Sequence, residues 1–522
     1  MKGCRCRGTI TVFLSLVSVL FLSLICTLVE SARLQGARAW AAAVVDLGIY
    51  SVFGEYEGEL LEKYDVLLLD GGGGTGEFAP ERLALRMREF MEFNTDPGKG
   101  LAPSQNWNVF PMEVIDCEIS GCTLATDGEG AAFYQQAVGN IQENLGTELL
   151  YRYRKNRQEA EKQQEQAGTY QERDKRAWKE LEEMETRQVT QEQQDQEKEK
   201  EGQDQEVPEE TSERVSTERL PKEDRPGAPE NAENPIGEIK KIKKLGILGL
   251  VVKDPGAVSA RSVETTELPS GRKLQRGNFD VEKKYQGAVA DGIFQEYLLE
   301  HFGTLTDPCR DSSLEYQVEY ILAGKHSDAE NLKAVAEKLL LLREGANFAF
   351  AASDAGMRGQ AGTLAAAIAG AAPVPGLVQA LELVLLLAWA YGESLLDVRT
   401  LLSGGKVPYV KDASTWKLSL ENLSRVTELL SECDDGKGTG QSYEDYLRIL
   451  LCTGEKGRYP MRALDMMEGR GFCQNMRADG WVMKAEAEVT FRFPPVFLRV
   501  PHIFLKLPVQ VTEYEVKGCM QY

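Results

Sequence analysis

Only three histidines occur in the 522 residues, His301, His326 and His502, and they stand far apart with no evident nucleophile or metal partner. The chain has no G-x-S-x-G, no H-E-x-x-H and no G-K-[ST], so the common signatures of serine hydrolases, zinc proteases and P-loop NTPases are missing. Positive charge is also short: 60 Lys and Arg against 81 Asp and Glu leave a net charge of −21. That balance argues against nucleic acid as a partner, because phosphates call for a basic face. Ten cysteines in so long a chain are not a disulfide framework. Beyond Cys26 the one close pair is Cys117 and Cys122, which form a disulfide only if the domain lies in an oxidising compartment. Zinc is disfavoured there, since no second Cys or His pair at ligand spacing accompanies it. The expectation is a non-enzymatic protein without cofactor, metal or catalytic residues.

Proline is absent from Gly8 to Tyr64. A basic leader (residues 1–9, with Lys2, Arg5 and Arg7) precedes twenty uncharged, mostly apolar residues, Ile10 to Val29. At ~1.5 Å per residue this run spans about 30 Å, the thickness of a bilayer's hydrocarbon core. Residues 10–29 therefore read as a transmembrane helix with the lipid bilayer as partner. The competing reading is a cleaved secretory signal, whose nearest A-x-A site is Ala37-Arg38-Ala39. The positive-inside rule places the N-terminus in the cytoplasm and the bulk of the chain outside a single-pass cell membrane. Apolar residues at helical intervals continue the helix through an extension, residues 30–64. Its small side chains suit packing on its own domain, the favoured reading, or against other copies.

Residues 65–150 read as a first ordered α/β part. Gly71, Gly73 and Gly76 satisfy G-x-G-x-x-G, but four successive glycines meet that pattern easily and no second βαβ half follows, so a surface turn is expected. Short strands around Cys117 and Cys122 precede a helix from about Gly130 to Leu150. Residues 151–234 form a Gln/Glu-rich insertion, read as a solvated helix or weak coiled coil to about Glu185 and as disorder beyond it. Residues 235–480 form a mainly helical second part, opened by a lysine cluster and a buried strand at Ile247–Val252, with capping residues at Ser327 and Ser442. The apolar stretch around Pro373 and Pro375 is divided into pieces too short to span, so a buried hairpin is expected. Residues 481–522 read as strands, because Ala485, Ala487, Val489, Phe491 and Phe493 alternate with polar residues. The fold class is α+β: a long N-terminal transmembrane and stalk helix, a mainly helical extracytoplasmic domain, and an antiparallel β-meander at the C-terminus.

The segments GTITVFLSLVSVLFLSLICTLVESARLQGARA, EYEGELLEKYDVLLLD, LGILGLVV, LEYQVEYILAGK, LLLREGANF, LLLAWAYGESLLDVRTLLSGGKVP and YEDYLRILL resemble a bacterial family of membrane-anchored surface proteins found beside genes for tight-adherence (Flp-type) pili. The N-terminal segment is similar to TadE/TadG-like minor pilins. That resemblance implies a prepilin-peptidase cut between Gly8 and Thr9, and pilus or secretion-apparatus subunits as partners. Pilins of this kind carry a glutamate at the fifth position after the cut, where this chain has Phe13. The implied function is a pilin-like component or accessory of a tight-adherence pilus or type II-like secretion apparatus. The alternative is an extracytoplasmic ligand-binding or sensor module on a single anchor helix.

Overall fold

The computed structural model describes residues 6–95, 108–144, 147–201, 234–370, 374–432, 438–473, 475–499 and 511–522. In chain order its elements are α1 (Cys6–Phe53), α2 (Gly58–Tyr64), β1 (Leu69–Asp70), α3 (Pro80–Thr95), β2 (Glu113–Leu124), α4 (Asp127–Asn144) and α5 (Thr147–Glu201). There follow α6 (Pro235–Ile242), α7 (Ile247–Val251), α8 (Ala288–His301), α9 (Gln317–Ala323), α10 (Asp328–Ser353), α11 (Ala355–Ala369) and α12 (Leu377–Leu402). The chain closes with α13 (Val426–Glu432), α14 (Tyr443–Thr453), α15 (Tyr459–Glu468), β3 (Trp481–Phe493) and β4 (Thr512–Gln521). The protein is mostly helical, with one small antiparallel sheet and one long apolar N-terminal helix.

The sheet is built from both ends of the chain. Central β3 pairs along most of its length with β2, and its other edge takes β4 and the two residues of β1. The expected C-terminal meander is present only in part, as the β3–β4 pair, inside a sheet whose remaining strands precede residue 125. Ala485, Ala487, Val489, Phe491 and Phe493 are buried on one face while the residues between them are half-exposed, as strand alternation requires. Against that face lie Ala37, Ala41, Val44, Val45, Ile49 and Val52 of α1, with Leu83, Met87 and Met91 of α3. Gly48 admits this packing, since a Cβ there would sit 2.6 Å from the Met91 Cγ. The extension of α1 therefore packs on its own domain. It stops at Phe53, short of the expected Tyr64, with a turn leading into α2.

The second core is helical and centres on α12, buried at every residue from Val384 to Leu401. This helix is covered by protein along that stretch, as expected of a buried hairpin's second arm, whereas the first arm, α11, buries only Met357, Ala361, Ala365 and Ala369; Pro373 lies outside the described residues. Ser442 and Asp445 form a reciprocal capping box at the start of α14, and Ser327 accepts from the Glu330 N–H at the start of α10.

Three local expectations are corrected. Ile247–Val251 is a short helix, because the glycine-spaced apolar run closes one turn with Ile247, Leu250 and Val251 facing inward. One unbroken strand, β2, replaces the short strands around Cys117. The charged helix α5 is docked and continues to Glu201, past the point where disorder was expected; residues 202–233 lie outside the described residues. Its seam uses a heptad spacing that only part of the apolar set reveals: Ala160, Ala167, Tyr170, Ala177 and Leu181 are buried, with Gln163 at 1% exposure between them. Asp174, on the same seam, accepts from Lys243 Nζ at 3.0 Å and Trp178 Nε1 at 2.8 Å. Gly345 of α10 lies so close that a Cβ would meet the Ala167 backbone nitrogen at 2.5 Å.

Gly345→Ala is expected to cost about 1–3 kcal/mol in denaturant unfolding and to raise hydrogen exchange along α5. Were α5 undocked, the same change would stabilise α10 by up to about 1 kcal/mol. The neighbouring Glu344 supplies a pH test. Burial pushes its carboxyl up from 4.5 to about 8, with Lys243 opposing and Asp174 adding to the shift. Between those values the folded chain holds a proton that the unfolded chain has released, so this group's contribution to stability falls as pH rises across the window. Melts recorded across it should decline less with pH in Glu344→Gln.

Candidate functional site

From Ile10 to Val29, α1 exposes apolar side chains over most of its circumference, with Cys26 buried near the end of the run. Ile10, Phe13, Leu14, Leu16, Leu20, Phe21 and Leu28 are each about 60% exposed. One turn later the environment reverses: Glu30 and Arg33 are 2% and 4% exposed. Arg33 Nε donates to Glu30 Oε1 at 3.1 Å, and its Nη2 donates to the Pro494 carbonyl at 3.0 Å. Glu30 Oε2 accepts the Phe497 N–H at 2.7 Å and the Val496 N–H at 3.3 Å. The chain leaving β3 is therefore fastened to α1 where the apolar run ends. Burial raises the Glu30 pKa, but Arg33 and the two backbone donors outweigh it and hold the carboxyl below its ordinary value. Glu30 and Arg33 stand at i,i+3 spacing, which allows a pair, but their partners at 494–497 leave no local signal in the sequence.

The predicted site residues are not brought together with this junction. Gly8 and Thr9 lie in the first turn of α1. Cys117 and Cys122 are free thiols on the single strand β2. Five residues at ~3.3 Å each keep their Cα atoms roughly 16 Å apart, far beyond disulfide reach of about 7 Å, so the proposed pairing does not form in this fold. The glycine turn after β1 is closed on itself: the Asp70 carboxylate accepts from the N–H of Gly72 at 2.9 Å and of Gly74 at 2.5 Å. Those donors face a carboxylate of the chain itself, where a phosphate cradle would offer them to a ligand. His301 Nδ1 lies 2.8 Å from the Lys63 carbonyl and His326 pairs with Glu330, while His502 lies outside the described residues. Among the described residues no group of three or more His, Cys, Asp or Glu could hold a metal.

Two further arrangements escaped the sequence. An open cleft of about 740 Å³ lies between the start of α4, residues 265–276 and α15, and Arg272, Arg276, Arg458 and Arg462 line it. Arg272 is held by Glu468 and Asp479, and Arg462 donates to the Ile321 carbonyl at 2.7 Å. Lys338 stands near Arg462, and burial together with that guanidinium lowers its pKa. On the cleft wall Glu129 takes φ 62°, between the left-handed Gly128 and Gly130, a conformation rare for a residue with a Cβ.

The second arrangement lies inside the helical core, where α10, α12 and residues 408–418 share a network of buried charges. Arg343 donates to Asp397 at 3.1 Å, to the carbonyls of Pro408 and Tyr409 and to the hydroxyl of Tyr446. Lys411 pairs with Asp397 at 2.6 Å and with Glu393, which also accepts the N–H groups of Lys417 and Leu418. Burial alone raises the Asp397 pKa, but Lys411 and Arg343 outweigh it and hold the carboxyl low.

The family model described as a family of unknown function, DUF5702, matches residues 226–493, just over half of the chain. The chain belongs to this family. The DUF5702 region holds α6 to α15, the buried charges of the helical core and strand β3. It also contains Pro494's neighbour Phe493 at its end, so the junction with α1 begins where the matched region stops. No curated protein and no solved structure matches the chain.

Glu30→Ala leaves the Arg33 guanidinium buried without its carboxylate partner, a type of change that costs about 3–5 kcal/mol locally. Residues 494–499 should then detach, seen as faster tryptic cleavage after the exposed Arg499 with the melting of the helical core unchanged. Acidification through the lowered Glu30 pKa should have the same effect, because the stabilisation is present only while that carboxyl is ionised.

Proposed function

We propose that this chain is a non-enzymatic membrane-anchored surface protein, retained in the cell membrane by residues 10–29, with its N-terminus cytoplasmic and its folded mass outside. The observation that carries this reading is the change along α1, from an apolar run that is largely exposed up to Val29 to a helix that is fastened at Glu30 and buries one face, Arg33, Ala37, Ala41 and Val44, beyond it. By length and composition it is the one helix among the described residues that passes the criterion for crossing a membrane. A signal sequence passes the same criterion, but cleavage after Ala39 would remove Glu30, Arg33 and Ala37, all of them buried parts of the fold, which supports retention.

The biological role follows from the resemblance to proteins encoded beside tight-adherence pili: a pilin-like component or accessory of a pilus or type II-like secretion apparatus. Phe13, in place of the pilin glutamate, favours accessory over filament subunit. A second reading, an anchored ligand-binding module, draws support from the arginine-lined cleft, whose chemistry suits an anion.

In a cell expressing the native chain, the protein should stay in the membrane after carbonate extraction, and protease added outside should remove the folded mass. Mass spectrometry of the mature N-terminus should find either Thr9 or the intact leader. A start near Trp40 would overturn the anchor, and full protease protection would overturn the orientation. For the second reading, Arg462→Ala should weaken binding of inorganic phosphate by about tenfold or more in calorimetry; no binding by the native chain would remove it.

A further inference from the structure

The β3–β4 connection lies at a fixed height along α1, and that height can be read from the contacts. β4 runs alongside α1: Tyr514 sits under Arg38, with the guanidinium 5.1 Å from the ring centroid, Gly518 faces Val45, and the Tyr522 hydroxyl donates to the Phe53 carbonyl. β3, being antiparallel to β4, descends toward the N-terminal part of α1 and delivers Pro494 to the level of Arg33 and Phe497 to the level of Glu30. Pro494 and Pro495 end the strand there. The next residues carry apolar side chains outward: Val496 is 38% and Phe497 37% exposed, followed by the exposed Arg499.

Single exposed apolar residues are ordinary on any surface. What sets these two apart is that they adjoin the end of a twenty-residue apolar band and are held there by a buried carboxylate. If residues 10–29 cross a bilayer, as the proposed anchor requires, Glu30 marks the hydrocarbon boundary and the backbone of Val496 and Phe497 is bonded to it. We propose that Val496, Phe497 and Arg499 form a second membrane contact, a foot resting in the phospholipid headgroup region beside the exit of α1. Its apolar side chains enter the acyl boundary and its guanidinium meets lipid phosphate. The chemistry matches that interface, where short apolar insertions and a basic group act together. The contact fixes the rotation of the domain about α1, since one helix alone leaves that rotation free.

The test places the photo-reactive residue p-benzoylphenylalanine at Phe497, in the full chain reconstituted into phosphatidylglycerol-containing vesicles, and reads adducts by mass spectrometry. Val496 serves as a second position should the first variant misfold. Phe93, 77% exposed on α3 two residues past Met91, which packs against Gly48 well above the boundary, is the control, and Phe21 within the apolar run reports the anchor itself. Lipid adducts are expected at 21 and at 497, the latter in about tenfold excess over 93. Adducts at 21 with none at 497, or protein adducts in place of lipid at 497, would overturn the foot while leaving the anchor intact. No lipid adduct at 21 would overturn the anchor, and the foot with it.

Discussion

The sheet-containing part of the molecule depends on one packing contact, the seating of α1 on the apolar face of the β2–β3–β4 sheet. That face carries Phe491 and Phe493 at one end and alanines toward the other, and without a cover it would remain in water. A helix can cover it closely only if its own face is smooth, and Ala37, Ala41 and Gly48 make it so. The remaining pieces follow from that seat. α3 fills the space beside α1 with Met87 and Met91, Tyr522 bonds the last turn of α1, and Glu30 and Arg33 fasten its middle to the chain leaving β3. Since β3 also pairs with β2 and β1, the same helix indirectly holds together strands that are more than three hundred residues apart in sequence.

The helical core solves a different problem. A helix buried on every side has nowhere to place a charge, yet α12 carries Glu393, Asp397 and Arg399. Each has a partner supplied from outside the helix: Arg343 from α10, Lys411 from the following loop, and the Leu250 carbonyl, which accepts from Arg399 Nη1 at 3.1 Å. Such buried pairs add little net stability over a well-packed apolar core, but removing one member is costly. Their effect here is to fix register. Only one rotation and one depth of α12 satisfies Arg343 and Lys411 together, where a purely apolar helix would tolerate several.

What was legible in the sequence is what short-range patterning encodes. The apolar run of α1, the alternation of β3 and the capping at Ser327 and Ser442 could all be read locally. What was not legible depends on distant partners. The seam of α5 looked too sparse because Gln163 and Asp174 occupy positions where only apolar residues were counted, and Asp174 is matched by Lys243, far along the chain. Ile247–Val251 has the composition of a strand, and helical neighbours decide otherwise. The Cys117–Cys122 spacing suggested a bridge that an extended strand keeps apart. The junction at Glu30 and the arginine-lined cleft were invisible, because each is assembled from segments hundreds of residues apart.

One property of α1 has a mechanical meaning. It runs without interruption from Cys6 to Phe53, so the largely exposed part and the part packed on the sheet form a single rod of about 70 Å at ~1.5 Å per residue. A rod has no hinge. In a bilayer, any tilt adopted by residues 10–29 to match the hydrocarbon thickness passes undiminished to the sheet, and a change of ten degrees at the span would swing the far end by several ångströms. The attitude of the folded domain over the membrane would then be a readout of the thickness of the membrane beneath it.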